Sequence, residues 1–295
     1  MGKREEAISL GISRFFSFHN FSLTFHFFRL LQLILKEVTG LDKIANIYLY
    51  CDRWCERCAF GNRCEAFAAN ETYRKKENMQ ADDEKNRLFW EDIESKMDGV
   101  FHELEEKARV LGKDLTVFEG LSKAKKFDLF QRKAVSNDVL KAGRKYEDLV
   151  DDWLDAMADK GVLKMMEFLP GSVFRVAADD FTEDEKNHAN SLIEVIMRYQ
   201  LQIYLKLSRL YYTLGKESEE DWNSGDEMAS DVTAKMVLHI IRRSLVAWSG
   251  LMKYFPDGDG HALLDISLLL MRMKNRLEME FPHADMAVRP GFDGY

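Results

Sequence analysis

Proline is scarce in this 295-residue chain, at 4, and glycine reaches only 17. A turn-rich all-β architecture uses more of both, so the scarcity points to long helices. Cysteine is limited to 4 residues, all in one short segment, which excludes the spread framework by which disulfides staple small secreted domains. Basic residues are outnumbered 42 to 50, giving a formal net charge of -8. Phosphate recognition needs a basic face, so no nucleic-acid partner is expected. Also missing are a phosphate loop, a nucleophile elbow and a dinucleotide fingerprint. There is no internal repeat and no alternation of strands with helices that would build a parallel sheet. What is present is ordinary for a globular protein: 31% charged and 46% hydrophobic residues, enough to bury the core of one large domain or two small ones.

Residues 1–43 differ from the rest. Between Phe15 and Leu35, 21 residues hold 7 of the 20 Phe and 2 of the 7 His. The stretch is nearly long enough to cross a bilayer, but His19, Asn20, His26 and Arg29 interrupt it, and such groups are costly in hydrocarbon. No small-residue cleavage site follows, which weighs against a secretory signal. The competing expectations are a membrane anchor across residues 15–35, an amphipathic helix, and upstream sequence translated from a misassigned start. Without residues 1–43, the rest carries a charge of -10.

Apolar spacing along the remainder is helical. Phe89, Ile93, Met97, Val100, Phe101, Leu104 and Ala108 predict one helix from Asp83 to Leu111, stopped near Gly112. A short helix is expected within Leu115–Lys133. Another runs from an N-cap at Ser136 through Tyr146, Leu149, Val150, Trp153 and Met157 to a glycine stop at Gly161. Thr182 and Glu185 form a capping box that opens a long helix with Leu192, Ile196, Tyr199, Ile203, Leu207 and Leu210 on its inner face. Further helices are expected over Asp231–Phe255 and His261–Phe281, followed by an extended C-terminal tail. The short run Ile44–Tyr50 fits either a strand or a helix start, and a helix is expected after Cys64. The fold class is therefore all-α: a helical bundle over residues 81–295, a four-cysteine module over 44–80 and the atypical extension 1–43. Phe101, Leu149, Trp153, Ile196, Tyr199, Ile203, Trp248 and Leu270 are the expected core.

The chemistry concentrates in YCDRWCERCAFGNRC, where Cys51, Cys55, Cys58 and Cys64 are separated by gaps of 3, 2 and 5 residues. Thiolates are soft ligands suited to iron-sulfur clusters or zinc and unsuited to magnesium or calcium. Structural zinc sites usually take two cysteine pairs parted by a longer loop, whereas consecutive short gaps suit iron-sulfur ligation. All four cysteines are accordingly the candidate ligands of one 4Fe-4S cluster, with zinc as the alternative. Arg53, Arg57 and Arg63 are placed to offset the charge of four thiolates, and Tyr50, Trp54, Phe60 and Phe67 to exclude water.

Two local resemblances bear on this segment. Cys51, Cys55 and Cys58 resemble the C-x3-C-x2-C spacing of radical S-adenosylmethionine enzymes, which implies a 4Fe-4S cluster held by three cysteines; the β/α-barrel pattern of that family is missing. Cys55, Cys58 and Cys64, with Phe60 and Arg63 between them, resemble the iron-sulfur staple of RecB-like nucleases, which implies a 4Fe-4S cluster completed by a fourth cysteine, here Cys51. The strand-borne Asp and Asp/Glu-x-Lys of the nuclease core are not found, so this resemblance extends to the cluster alone.

Other constellations carry less. Glu185/His188 and Glu280/His283 have the Glu-x-x-His spacing of di-iron bundles, but Glu185 is a capping residue and Pro282 interrupts the second pair. His102-Glu103 lacks the second His of a zinc-protease motif. Asp257 and Asp259 suggest a calcium loop that Leu268 cannot close. Asp148, Asp151, Asp152, Asp155 and Asp159 line one helix face, either solvated or holding magnesium for a hydrolase. His239, Arg242 and Arg243 beside an apolar seam are either an interhelical contact or part of a ligand pocket. The overall expectation is a cytoplasmic bacterial protein that binds a 4Fe-4S cluster for redox or structural use, with an unspecified protein or redox partner. The alternatives are a zinc-stabilised interaction module and a helical hydrolase using the acidic face.

Overall fold

A computed structural model describes residues 43–44, 46–69, 82–118, 138–168, 171–217, 227–255 and 259–293. The chain divides into two units, Met1–Ile44 and Ala45–Tyr295. The expectations for residues 1–42, and for a short helix across most of Leu115–Lys133, lie outside the described residues. In the second unit the helices are α1 (Glu65–Ala69), α2 (Asp83–Glu94), α3 (Met97–Val110), α4 (Asp138–Asp159), α5 (Glu183–Glu217), α6 (Glu227–Leu251) and α7 (Asp259–Glu280). Helix makes up 72% of the described residues, so the mostly helical fold read from the sequence is the observed one. No described helix is long and apolar enough to cross a membrane.

Four helices form the bundle. α5 packs on α6, α6 on α7, α7 on α4 and α4 back on α5, closing a ring around one core. Its centre is filled by Tyr146, Ile193, Ile196, Tyr199, Ile203, Leu207, Leu238 and Trp248, all essentially without solvent exposure. Every expected inner-face residue of α5, from Leu192 to Leu210, is buried. The capping box at its start is formed: the Thr182 amide donates to Glu185 at 2.9 Å and the Glu185 amide donates to Thr182 Oγ1 at 3.3 Å. Gly143 permits the close approach of α4 and α5, since a Cβ there would stand 2.8 Å from Leu207 Cδ1. Of the expected core, Phe101 and Leu149 are only half-buried at its edge, and the other six are buried.

Two local expectations are corrected, and one element lies where no expectation was drawn from the sequence. The single helix over Asp83–Leu111 is broken at Ser95–Lys96 into α2 and α3. Ser95 Oγ donates to the Asp92 carbonyl at 2.8 Å, and the bend lets α3 reach both α6 and α7 while α2 stays on α6. The stretch between α4 and α5 is an antiparallel hairpin, β1 (Leu163–Phe168) and β2 (Gly171–Val176), with Leu163 opposite Val176. Its Leu163, Phe174 and Val176 are buried whereas Met165 and Met166 are exposed, so its apolar signal is too short to register as a strand pattern. The C-terminal tail is not extended: Ala284–Met286 is a 3₁₀ turn, and Arg289 closes a further turn on Asp293.

Replacing Ile203, fully buried in the bundle, with Ala should cost about 2–5 kcal/mol. Asp155→Ala, on the exposed face of α4, should change stability by less than about 0.5 kcal/mol. Urea unfolding followed by circular dichroism measures both; equal midpoints for the two variants would contradict the assigned faces.

Candidate metal centre

The cysteine segment is built from 3₁₀ turns at Ile47–Leu49, Cys55–Arg57 and Gly61–Arg63, joined by irregular backbone. Arg53 adopts a left-handed φ of 57°, turning the chain between the first two cysteines. Such a segment has few internal partners for its carbonyls, and buried carbonyls need hydrogen-bond donors. The helices provide them. From α5, Lys206 donates to the Cys51 carbonyl at 3.3 Å and Arg198 to that of Arg53. From α2, Asn86 donates to the carbonyls of Glu56 and Cys58 at 3.3 and 3.0 Å, and Trp90 Nε1 to that of Arg57 at 2.6 Å. Asp83, Asn86 and Trp90 lie on one face of α2, and Asp83 also accepts from the Asn62 amide at 3.2 Å.

With carbonyls engaged outside, amides turn toward sulfur. Arg53 N–H donates to Cys51 Sγ at 3.3 Å, Phe60 N–H to Cys58 Sγ at 3.3 Å and Phe67 N–H to Cys64 Sγ at 3.4 Å. All four cysteines are free thiols. Their side chains line a single cavity of about 400 Å³, together with Trp54, Phe67, Gly61 and Phe292. Among the described residues, no three His, Cys, Asp or Glu side chains are gathered closely enough to hold one metal ion.

Asp52 ties the segment to the bundle. Its carboxylate accepts from the Trp54 amide at 3.0 Å and from the Tyr199 hydroxyl at 2.6 Å. Arg243 of α6 donates to the Tyr199 oxygen at 3.2 Å and to Glu94 of α2 at 2.7 Å. The Arg243 guanidinium stacks 3.6 Å above the Trp90 ring, and Trp54 meets Trp90 and Tyr199 edge-on. Burial, then the Asp52 charge, pushes the Tyr199 hydroxyl well above the usual tyrosine range. The phenol therefore stays protonated and donates.

Burial also raises the thiols of Cys51 and Cys58, with Cys58 pushed up to about 12 against the pull of its amide bond. The cations expected to offset the sulfurs divide. Arg57 is engaged by Glu194 at 2.8 Å and lies over the Phe89 ring, so it holds the segment to α5. Glu194 also pairs with Arg175 of the hairpin. Arg53 lines the cysteine cavity, and Lys206, unremarked in the sequence, supplies a positive charge near Cys51. Trp54 and Phe67 wall the cysteine cavity as expected, whereas Tyr50 and Phe60 line a second cavity beside it.

The remaining candidates are elsewhere. Asp148, Asp151, Asp152, Asp155 and Asp159 are exposed along α4, a solvated face. Glu185 is held by its cap, and His188 Nδ1 is bonded to the Tyr254 hydroxyl at 2.7 Å. Glu280 accepts from Arg276 and Tyr211, and His283 is exposed in the turn beyond α7. Arg242 pairs with Glu278 and Asp285, an interhelical contact, while His239 and Arg243 face the second cavity. Asp52, Asn86, Lys206 and Glu194 had no motif to mark them. Only the spacing of Asp83, Asn86 and Trp90, one polar and aromatic stripe on α2, was available as a signal.

No protein-family model, curated protein or solved structure matches this chain.

Two measurements check this geometry. Asp52→Ala leaves the buried Tyr199 hydroxyl without its acceptor and should cost about 1–3 kcal/mol. Adding Tyr199→Phe should cost much less than the sum, a coupling that a double-mutant cycle detects; strict additivity would mean the pair does not interact. In metal-free protein, the folded state holds the Cys58 proton from its ordinary 9.0 up to about 12. Unfolding in that window releases a proton, so stability should fall as pH rises, by at most about 1.4 kcal/mol per pH unit for this thiol. Cys58→Ser should flatten that slope, and an unchanged slope would show that another group titrates.

Proposed function

We propose that this chain binds a 4Fe-4S cluster through Cys51, Cys55, Cys58 and Cys64. The observation that carries the reading is the single cavity of about 400 Å³ lined by all four cysteines. A lone zinc draws its sulfurs to about 2.3 Å from one point, whereas a cubane cluster fills the space between ligands that stand around it. The donor set fits: four soft thiols and, among the described residues lining the cavity, no carboxylate other than Asp52, which is engaged by Tyr199.

When bound, such a cluster supplies either a one-electron couple or a structural cross-link. The residues of the chain act around it. The amides of Arg53, Phe60 and Phe67 favour the thiolate over the thiol by donating to sulfur, and such bonds are among the levers that set cluster potential. Lys206 and Arg53 offset negative charge, and Trp54, Phe67 and Phe292 keep water from the sulfurs. Free thiols with this role belong in a reducing compartment, so a cytoplasmic location, and a protein or redox partner there, form part of the same proposal.

Anaerobic purification followed by visible spectroscopy and metal analysis tests it. The expected result is a brown protein with about four irons per chain, and severalfold less iron after Cys→Ser at any of the four positions, since a hydroxyl is a poor ligand for a soft site. A colourless protein with one zinc per chain would overturn the cluster in favour of a zinc-stabilised module.

A further inference from the structure

Phe292 lines both the cysteine cavity and the cavity of about 450 Å³ beside it. Cys51 and Cys58 also line both, whereas Cys55 and Cys64 line the first alone. Residues 288–293 carry this aromatic wall, and their sequence explains their shape. In Arg289-Pro290-Gly291-Phe292 the Phe292 amide donates to the Arg289 carbonyl at 3.0 Å, and Gly291 has a φ of 88°. Proline at the second position and glycine at positive φ at the third are the signature of a type II turn. Asp293 locks it, accepting from the Arg289 amide at 2.9 Å and from the guanidinium at 2.8 Å. The turn therefore holds its shape from within.

Far less holds it to the rest of the chain. Among the described residues, the hydrogen bonds and ion pairs that 288–293 forms outside itself reduce to one, between Asp293 and Lys235 of α6 at 2.7 Å. The same ammonium donates to the Asp285 carbonyl at 3.1 Å and the Ala287 carbonyl at 2.7 Å. Its three donors thus tie the chain before residue 288 to the chain after it. The upstream side stays with the bundle, because Ala284 is buried and Arg242 holds Asp285 at 2.8 Å. On the downstream side Phe292 meets Phe60 of the cysteine segment edge-on, with ring centroids 5.0 Å apart. Val288 and Pro290 are exposed and line a third cavity with Cys51. Of the turn, Gly291 alone is buried, so little apolar area opposes its opening. A unit with few buried contacts opens locally while the core stays folded.

We propose that residues 288–293 form a hinged cover over Cys51 and Cys58, latched by Lys235, so that whatever the four cysteines hold is loaded and lost through the neighbouring cavity. Lys235 is a positioning residue here, acting on the thiols through Asp293 and Phe292. Swinging the turn about Ala287, whose backbone is extended, withdraws Phe292 from both cavities at once. The proposal concerns access to the thiols and stands whichever metal they bind.

The test uses the full chain, purified anaerobically and then stripped of metal under reducing conditions. Alkylation by N-ethylmaleimide is followed at each cysteine by peptide mass spectrometry. Lys235→Met, Asp293→Asn and Phe292→Ala should each raise the rates at Cys51 and Cys58 about tenfold relative to those at Cys55 and Cys64, since reaction requires access to the thiol. Lys235→Arg, which keeps the charge and the donors, should keep the unaltered ratio. General loosening raises all four rates together, so an equal rise in a folded variant, or no rise, overturns the cover. Relaxation dispersion on the unaltered protein decides the matter if a variant fails to fold. Opening on the microsecond to millisecond scale should appear at Phe292 and Asp293 and not within α6, and its absence from the turn overturns the proposal. The expected labelling pattern on a chain purified with zinc would sustain the cover while removing the iron-sulfur reading.

Discussion

An irregular loop against a hydrophobic core must find partners for its peptide groups, and this requirement organises the cysteine segment. Its carbonyls are capped from outside by Lys206, Arg198, Asn86 and Trp90, side chains of two helices far apart in sequence. Once the carbonyls face outward, amides are free to face inward, and three of them reach sulfur. The orientation of three amides toward sulfur thus follows from polar satisfaction of the backbone. The helices are the mould, and the thiols take their positions from it.

The buried chain Asp52, Tyr199, Arg243 and Glu94 has a related role. Burying charge costs free energy that pairing returns only in part, so an apolar contact would have stabilised this junction equally well. What the polar chain adds is direction. It fixes the segment against α5, α6 and α2. Arg243 over the Trp90 ring gains a cation-π contact. The cationic side chains gathered here contrast with a chain whose formal charge is -8. Local charge at this junction and overall charge follow different rules, since one answers to the site and the other to solubility.

The bundle was readable because its signal repeats. Leu192, Ile196, Tyr199, Ile203, Leu207 and Leu210 recur at helical spacing over five turns, and a stripe of that length has one way to bury itself. The capping box at Thr182 and the glycine stops at Gly112 and Gly161, both at positive φ, are local in sequence and local in structure. The hairpin failed this test, because three buried side chains in two short strands leave almost no period. The break at Ser95 was also hidden: the apolar spacing continues across it, and only the need of α3 to meet both α6 and α7 bends the chain there.

The sequence by itself determined a helical protein with one cluster of soft ligands, since helix periodicity and cysteine spacing are properties of neighbours along the chain. It also singled out His239, Arg242 and Arg243 as polar groups beside an apolar seam. Tertiary structure alone decided that Arg57 serves Glu194, that Lys206 serves the cysteine loop, and that Asp52 is anchored by Tyr199, 147 residues away. These are pairings across elements. Their partners are chosen by how α2, α5 and α6 pack, and no spacing within a single segment encodes that choice.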